Sequence, residues 1–237
     1  MYHSFKVAAA ALLVSAPAAM AQQVTGGSLS LSHSFLTDES SISKTTLLGA
    51  VEVGLNRDFS LQFDLGLNRL NEVKENTTNF VLHGIYHLNE NTSAGLFAGT
   101  DRADGESVNF IGFEFGHVAG QTGFEAYAAR GEEQGISGTV LGLSTRYAAT
   151  PQFGIGVSVD QLDIGVANAR RYSVNGDYDV APNFKVFGEL GVVRGSVPLA
   201  ELSGSEGYVK LGGKITFGAK RGTTFGQRSL TNLLPGG

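Results

Sequence analysis

Histidines beside serines are the first residues in this sequence that could carry out catalysis. His33 lies between Ser32 and Ser34, and an activated serine–histidine pair is a common nucleophile of hydrolases. Neighbouring residues in a strand point to opposite faces of a sheet, so His33 cannot pair with either serine. The segment Gly142–Thr145 lacks the closing glycine of a nucleophile elbow. We expect no catalytic residues, and we interpret His33 as a packing or snorkelling residue.

Three other histidines could ligate a metal ion if they shared one site. His83 and His87 share a face of one predicted strand, and His117 lies at the end of another. Residues four apart in a strand are about 13 Å apart, which is too far for both to bind one ion. The chain contains no cysteine, which removes thiolate sites and disulfides. We therefore expect no metal and no cofactor, and we interpret the histidine pair as part of a solvated inward face.

All of these residues lie in a train of short segments whose polar and apolar residues alternate. We predict an all-β protein, a single closed antiparallel transmembrane β-barrel over residues 22–218, with about twelve strands; ten or fourteen would also fit. A tilted strand that crosses a membrane needs about 9–11 residues, and the predicted lengths agree with this. The predicted strands are Val24–Phe35, Thr45–Asn56, Asp58–Asn68, Thr78–Leu88, Thr92–Asp101, Ser107–Val118, Gln121–Arg130, Gly135–Tyr147, Pro151–Gln161, Asn168–Val180, Asn183–Arg194 and Glu206–Gly218.

The predicted connections alternate between tight turns and longer polar loops. Every second joint is short, as at Asn89–Asn91 and Ala181-Pro182, whereas Leu36–Lys44, Arg69–Thr77 and Gly195–Ser205 are longer. Outer-membrane barrels have this asymmetry, with short periplasmic turns and longer external loops. An even number of strands would place both ends of the barrel on the short-turn side.

The alternation also sorts side chains between two faces. Apolar residues occupy every second position of a strand, and the positions between them are polar and rich in glycine and serine. Glycine and serine would fill a core poorly, so we expect them to face a water-filled interior. The residues predicted to face lipid include Leu61, Phe63, Ile155, Val157, Leu190 and Leu211.

Aromatic residues recur where a predicted strand meets a tight turn. Each has the parity of the apolar face of its own strand, so these rings should form one girdle on the outside of a closed sheet. A soluble β-sandwich is the alternative, but it gives no reason for rings to collect at one end of nearly every strand. The predicted aromatic girdle is Phe59, Tyr86, Phe115, Phe124, Tyr147, Phe153, Tyr178, Phe184 and Phe217.

Charged residues at inward positions divide between two walls. Acidic residues dominate the first half of the chain, and the inward basic residues lie in the second half. Opposed charges across a narrow water path create a transverse field that orients solutes and sets ion preference. Alternatively, the charges pair and close the interior. The predicted pore-lining residues are Glu52, Asp64, Glu114, Glu125, Arg146, Arg171, Lys185, Glu189, Lys210 and Lys214.

The ends of the chain and its composition narrow the class of protein. Residues 1–21 predict a cleaved signal peptide, with Lys6 before an apolar run and Ala19-Met20-Ala21 as the cleavage site. The net charge of −5 argues against a nucleic-acid partner. Mean hydropathy is +0.02, a weak signal that is typical of barrel strands with one polar face.

The last strand carries the pattern of an assembly signal. Lys210–Phe217 reads polar-x-Gly-x-x-hydrophobic-x-hydrophobic and resembles the signal of outer-membrane barrels, with Gly212, Ile215 and Phe217 in the recognised positions. That resemblance implies the barrel-assembly machinery as a partner. Such proteins usually end at the aromatic residue, whereas here a polar, glycine-rich tail, residues 219–237, follows. We expect this tail to hang in the periplasm.

Over residues 1–218 the chain resembles the small porin-like barrels of Gram-negative bacteria. The resemblance implies a non-enzymatic porin in the bacterial outer membrane, reached by signal-peptide-directed export, that contacts lipid and lets small hydrophilic solutes diffuse through its channel. A closed barrel that anchors surface-interacting loops is the main alternative. An outer-membrane lipid hydrolase is the weaker one.

Overall fold

In the part of the chain that the structure describes, twelve antiparallel strands form one closed barrel, which confirms the predicted fold class. The computed structural model describes residues 24–72, 74–133, 136–164, 167–197, 202–219 and 222–229. Each strand pairs with its neighbours in sequence, and β1 pairs with β12 to close the barrel. The strands are β1 Val24–Leu36, β2 Ser43–Gly54, β3 Phe59–Leu70, β4 Glu75–Asn89, β5 Thr92–Ala103, β6 Glu106–Ala119, β7 Thr122–Glu133, β8 Ile136–Ala148, β9 Phe153–Ile164, β10 Ala167–Ala181, β11 Phe184–Val197 and β12 Leu202–Phe217. The predicted signal peptide lies outside the described residues.

Most strands run a few residues beyond their predicted ends. Much of the predicted loop Arg69–Thr77, for example, belongs to β3 and β4, because backbone pairing continues from Asn68 opposite Thr77 to Leu70 opposite Glu75. β5 and β6 are joined only by Asp104-Gly105, both of which have positive φ. The contrast between short turns and longer loops is therefore weaker than predicted.

Apolar side chains cover the outside of the barrel. In β3, buried positions alternate with exposed ones, as the period of two requires, except that the outward Leu61 is half-buried. Phe63, Ile155, Val157, Leu190 and Leu211 are exposed on this outer face. Within the described residues, no helix is long and apolar enough to span a membrane.

The aromatic residues singled out by sequence lie on the outer face at the short-turn end. All nine are exposed, from 37% for Phe217 to 51% for Tyr178. Phe59 and Tyr86 lie opposite each other in the β3–β4 register, with ring centroids 4.9 Å apart. Phe153 and Tyr178 are opposed in the same way between β9 and β10.

The buried core lies inside the barrel, toward the end opposite the girdle. One apolar cluster contains Leu36, Val140, Leu162, Ala169, Val193 and Tyr208. A second contains Val81, Phe97 and Phe110, and both clusters contact Tyr127 and Ala129. The interior is thus partly apolar and packed, which differs from the polar, water-filled interior expected from the glycine and serine content.

Candidate functional site: the barrel interior

Acidic side chains from neighbouring strands meet on one side of the interior. Glu52, Asp64 and Glu114 are fully buried, at 0–2% exposure, on β2, β3 and β6, and Glu125 lies nearby on β7. We call the inward face of β2–β7 the acid wall. His83 joins two of its carboxylates, with Nε2 3.1 Å from Asp64 Oδ2 and Nδ1 2.6 Å from Glu114 Oε1.

The histidines take other positions than the solvated face proposed from sequence. His83 is completely buried, because adjacent strands bring a carboxylate to each of its ring nitrogens. His87 is half-buried and lies 2.9 Å from the hydroxyls of both Ser60 and Ser93. The Ser60 hydroxyl donates to Glu52 at 2.9 Å, so Ser60 is not arranged as a nucleophile toward His87. His33 and His117 contact threonine hydroxyls.

No metal centre is found in the part of the chain that the structure describes. There, no group of three or more His, Asp or Glu side chains is placed to hold an ion. The contacts of His83 and His87 are hydrogen bonds within the wall.

Basic side chains on the opposite side are paired with acids of nearby strands. Arg171 Nη2 lies 2.8 Å from Asp160 Oδ2, and Lys210 Nζ lies 2.8 Å from Glu189 Oε2. Asp177 forms salt bridges with both Lys185, at 2.6 Å, and Arg146, at 2.8 Å. We call the inward face of β8–β12 the paired wall, because most of its predicted basic residues form salt bridges within it.

Lys214 and Arg146 are the remaining predicted basic residues of the paired wall. Lys214 lies opposite Lys185 in the β11–β12 register and is half-buried. The Arg146 guanidinium reaches over β9, where a Cβ on Gly154 would lie 2.2 Å from Arg146 Nη2. Glycine at that position therefore leaves room for the salt bridge from β8 to β10.

Residues 222–229, the last described part of the C-terminal tail after β12, lie inside the barrel against the acid wall. Residues 224–229 form hydrogen bonds with one side chain from each of six consecutive strands, β2 to β7. Those partners are Glu52, Gln62, Asn79, Asp101, Glu114 and Glu125. Thr224 contacts Glu52, two residues from the short-turn end of β2, and Ser229 contacts Asp101, two residues from the other end of β5. The tail thus enters at the short-turn end and runs toward the opposite end.

The position of residues 223–229 differs from the tail expected to hang in the periplasm. After β12, positive φ angles at Gly218 and Gly222 allow the chain to reverse into the barrel. Phe225 and Arg228 are then almost fully buried, at 2% and 6% exposure. Two sequence signals could have indicated this: an aromatic and a basic residue within a polar tail, and an inward acid, Glu114, on a strand that contains no arginine or lysine.

Arg228 brings a positive charge from the tail to the acid wall. Its Nε donates to Glu114 Oε2 at 3.0 Å, and its Nη2 donates to Glu125 Oε1 at 2.6 Å. The guanidinium carbon lies 4.2 Å from the centroid of the Tyr127 ring. Among the described residues, Arg228 is the one arginine or lysine that forms a salt bridge with Glu114 or Glu125.

Glycines of the barrel give the tail room to lie close to the wall. A Cβ on Gly95 or Gly116 would lie 3.1 or 3.2 Å from the ring of Phe225, and one on Gly66 would lie 2.7 Å from Gln227 Nε2. A Cβ on Gly26 would collide with the carbonyl oxygen of Gly222 at 1.5 Å. We call these four glycines, Gly26, Gly66, Gly95 and Gly116, the seat of the tail, because the tail packs directly against them.

Comparisons with known proteins agree with this architecture at the level of fold. No protein-family model and no curated protein matches the chain. The KdgM porin superposes with a TM-score of 0.62 and 15% identity over 80% of this chain and 99% of that one. The same porin in complex with disordered oligogalacturonate gives 0.64 and 16%, with the same coverage. The NanC porin gives 0.63 and 10% over 79% of this chain and 98% of its own. The chain thus has the fold of the small outer-membrane porins.

Proposed function

We propose that this protein is an outer-membrane channel through which small hydrophilic solutes diffuse. The observation that carries the proposal is a closed barrel with an apolar outer face and two charged inner walls. In a closed barrel the backbone N–H and C=O groups of every strand are hydrogen-bonded to a neighbouring strand. This is the condition for a sheet to cross lipid. The fold shared with the KdgM and NanC porins supports it.

The outer surface supports insertion in a membrane. An apolar band bordered by aromatic rings matches the interface between lipid and water, and here the rings lie at one end of the strands. Ile215 and Phe217 are exposed on the outer face of β12, where an assembly machinery could bind them, and a Cβ on Gly212 would lie 2.4 Å from the Phe187 ring. Export through the predicted signal peptide, residues 1–21, and recognition by the barrel-assembly machinery belong to this proposal.

The second candidate function is a closed barrel that acts as an anchor. The observation that favours it is the packed interior, where apolar residues such as Val140, Leu162 and Val193 are at most 6% exposed. A channel function therefore requires an open conformation in which part of the interior moves, and residues 222–229 are a segment that can move without breaking a strand pair.

Planar-bilayer recording on the refolded, full-length protein tests the proposal. A channel produces discrete conductance steps above the lipid background, either spontaneously or under applied voltage. The same recording on a variant with a displaced tail, Arg228→Glu, removes the ambiguity of a closed resting state. If neither protein conducts although both are folded and inserted, the channel proposal is wrong and the anchor function replaces it. Phospholipid hydrolysis by the same preparation would instead favour the hydrolase.

A further inference from the structure

We infer that the acid wall is a binding site for guanidinium groups carried on an extended peptide, and that residues 223–229 of this chain occupy that site and close the barrel. The inference deepens the proposed channel function and rests on it, because it names the solute class that the acid wall would select. The tail is in this sense a ligand tethered to its own site.

Arg228 shows how the site recognises a guanidinium. Nη2 approaches both Glu114, at 2.9 Å, and Glu125, at 2.6 Å, while Nε donates to Glu114. The planar group also lies over Tyr127, 4.2 Å from the ring centroid, and 5.8 Å from that of Phe97. A planar fork that bonds two carboxylates and stacks on a ring suits arginine better than lysine, which presents a compact point charge.

The wall also recognises the backbone of the tail. The Gln62 side-chain amide donates to the Phe225 carbonyl oxygen at 3.0 Å and accepts from the Phe225 N–H at 3.2 Å. Asp64 accepts from the same amide nitrogen at 2.9 Å and so fixes its orientation. A peptide backbone, and not only a cation, therefore matches the site.

The buried Glu114 carboxylate pairs with a cation from outside the strands, Arg228 of the tail. Glu114 is fully buried, and the partners that the barrel strands give it include His83. Burial of a carboxylate is costly unless it is paired and hydrogen-bonded. When the tail leaves, water and a cationic solute would take over the contacts that Arg228 makes.

The tail can leave without disturbing the barrel. Residues 222–229 pair with no strand, and their contacts to the wall are made largely with its side chains. The positive-φ glycines Gly218 and Gly222 lie where the chain turns from β12 into the lumen. Displacement therefore costs side-chain contacts but no ladder hydrogen bonds.

The test compares two full-length charge reversals by planar-bilayer recording. In Arg228→Glu, the new carboxylate is repelled by Glu114 and Glu125, so the open fraction should rise by about tenfold or more, as for the loss of hydrogen bonds between charged groups. Arg57→Glu is the matched control: the same change at an exposed turn residue at the short-turn end of the barrel. It should leave the open fraction unchanged. The double variant Glu125→Arg with Arg228→Glu should restore closure.

A peptide added in trans tests the site itself. A synthetic peptide with the sequence of residues 222–229 should block the opened Arg228→Glu channel, and the same peptide with lysine in place of arginine should block at least several-fold more weakly. A peptide with alanine there should not block. Equal block by all three peptides would overturn a guanidinium site.

The outcomes separate this inference from the channel proposal. If wild type, Arg228→Glu and Arg57→Glu conduct equally, the protein is a channel and the tail does not close it. If none conducts, the channel proposal fails, and binding of the fluorescent arginine peptide to folded Arg228→Glu protein decides about the site: saturable binding supports it and none overturns it.

Discussion

The two inner walls of the barrel neutralise their charges in different ways. On the paired wall, acids and bases come from the strands themselves: Arg171 lies directly opposite Asp160 in the β9–β10 register, and Lys210 lies opposite Glu189 between β11 and β12. On the acid wall, Glu52 lies opposite Gln62 and Glu114 lies opposite Tyr127. Arg228 of the tail adds a positive charge to this wall, beside the buried Lys44 and His83 of its own strands. One wall is complete within the sheet, whereas the other is completed by a segment that can leave.

This difference separates structural charges from exchangeable ones. A salt bridge between adjacent strands is lost only if the barrel distorts, so the paired wall should hold the strands together. A salt bridge to a tail can be replaced by water or by another cation without any change in the sheet.

The largest effect on stability should come from the paired wall. Arg171→Leu leaves Asp160, which is nearly buried, without its arginine. Removing one partner of a buried ion pair typically costs about 3–5 kcal/mol, since the remaining charge stays desolvated. Denaturant unfolding of the protein in lipid vesicles measures this loss. An unchanged midpoint would show that the paired wall is not structural.

The equivalent change on the acid wall should cost much less. In Arg228→Leu the tail can move out and water can reach Glu114, so we expect a loss of about 1 kcal/mol, as for solvated pairs. The tail itself should become accessible. Because the natural chain has no cysteine, a Ser229→Cys reporter reads this out: its thiol should react with a maleimide far faster when Arg228→Leu is also present than when Arg228 is retained. Equal loss of stability for Arg228→Leu and Arg171→Leu would contradict the proposed difference between the two walls.

Charge reversal on the last strand should change ion preference in the open channel. Replacing Lys210 and Lys214 by glutamate should shift the reversal potential toward cations, because a wall of charge biases the permeating ion. Glu189 already neutralises part of the effect of Lys210, so the shift should be moderate. It should shrink in 1 M salt, where the screening length is about 3 Å. A shift that persists at high salt would point to a change of structure instead.

The smallest effect should come from the seat of the tail. Gly116→Ala places a Cβ 3.2 Å from the Phe225 ring, which should weaken docking by about 1 kcal/mol. Labelling at Ser229→Cys should then rise by less than tenfold. Gly123→Ala is the control, since its Cβ would meet its nearest neighbour, the Arg146 carbonyl oxygen, at 3.9 Å. Labelling that rises equally in both variants would show that the glycines do not form a specific seat.

Strand number and side-chain faces could be predicted because they depend on local patterns. The alternation of Phe63, Leu65 and Leu67 with polar neighbours determines the outer face of β3 whatever lies inside the barrel. Strand ends were less predictable, since pairing beyond Asn68 depends on what the neighbouring strand offers.

Contacts between distant parts of the chain could not be predicted from alternation. Parity places Asp64, His83 and Glu114 on the inner face but does not give the distances between strands, and so the buried histidine bridge was missed. The tail has no alternation at all. Its place depends on the fit of residues 224–229 to six strands that precede them by about a hundred residues or more, as with Glu114 and Arg228.

The first strand holds the last part of the chain from both sides. Gly27 lies opposite Phe217 and is covered on the outside by its ring, since a Cβ there would lie 2.1 Å from ring atom Cε2. Its neighbour Gly26 receives the Gly222 carbonyl on the inside. Two adjacent glycines of β1 thus contact the closing strand on the outer face and the backbone of the tail on the inner face, so a side chain at either position would collide with one of the two.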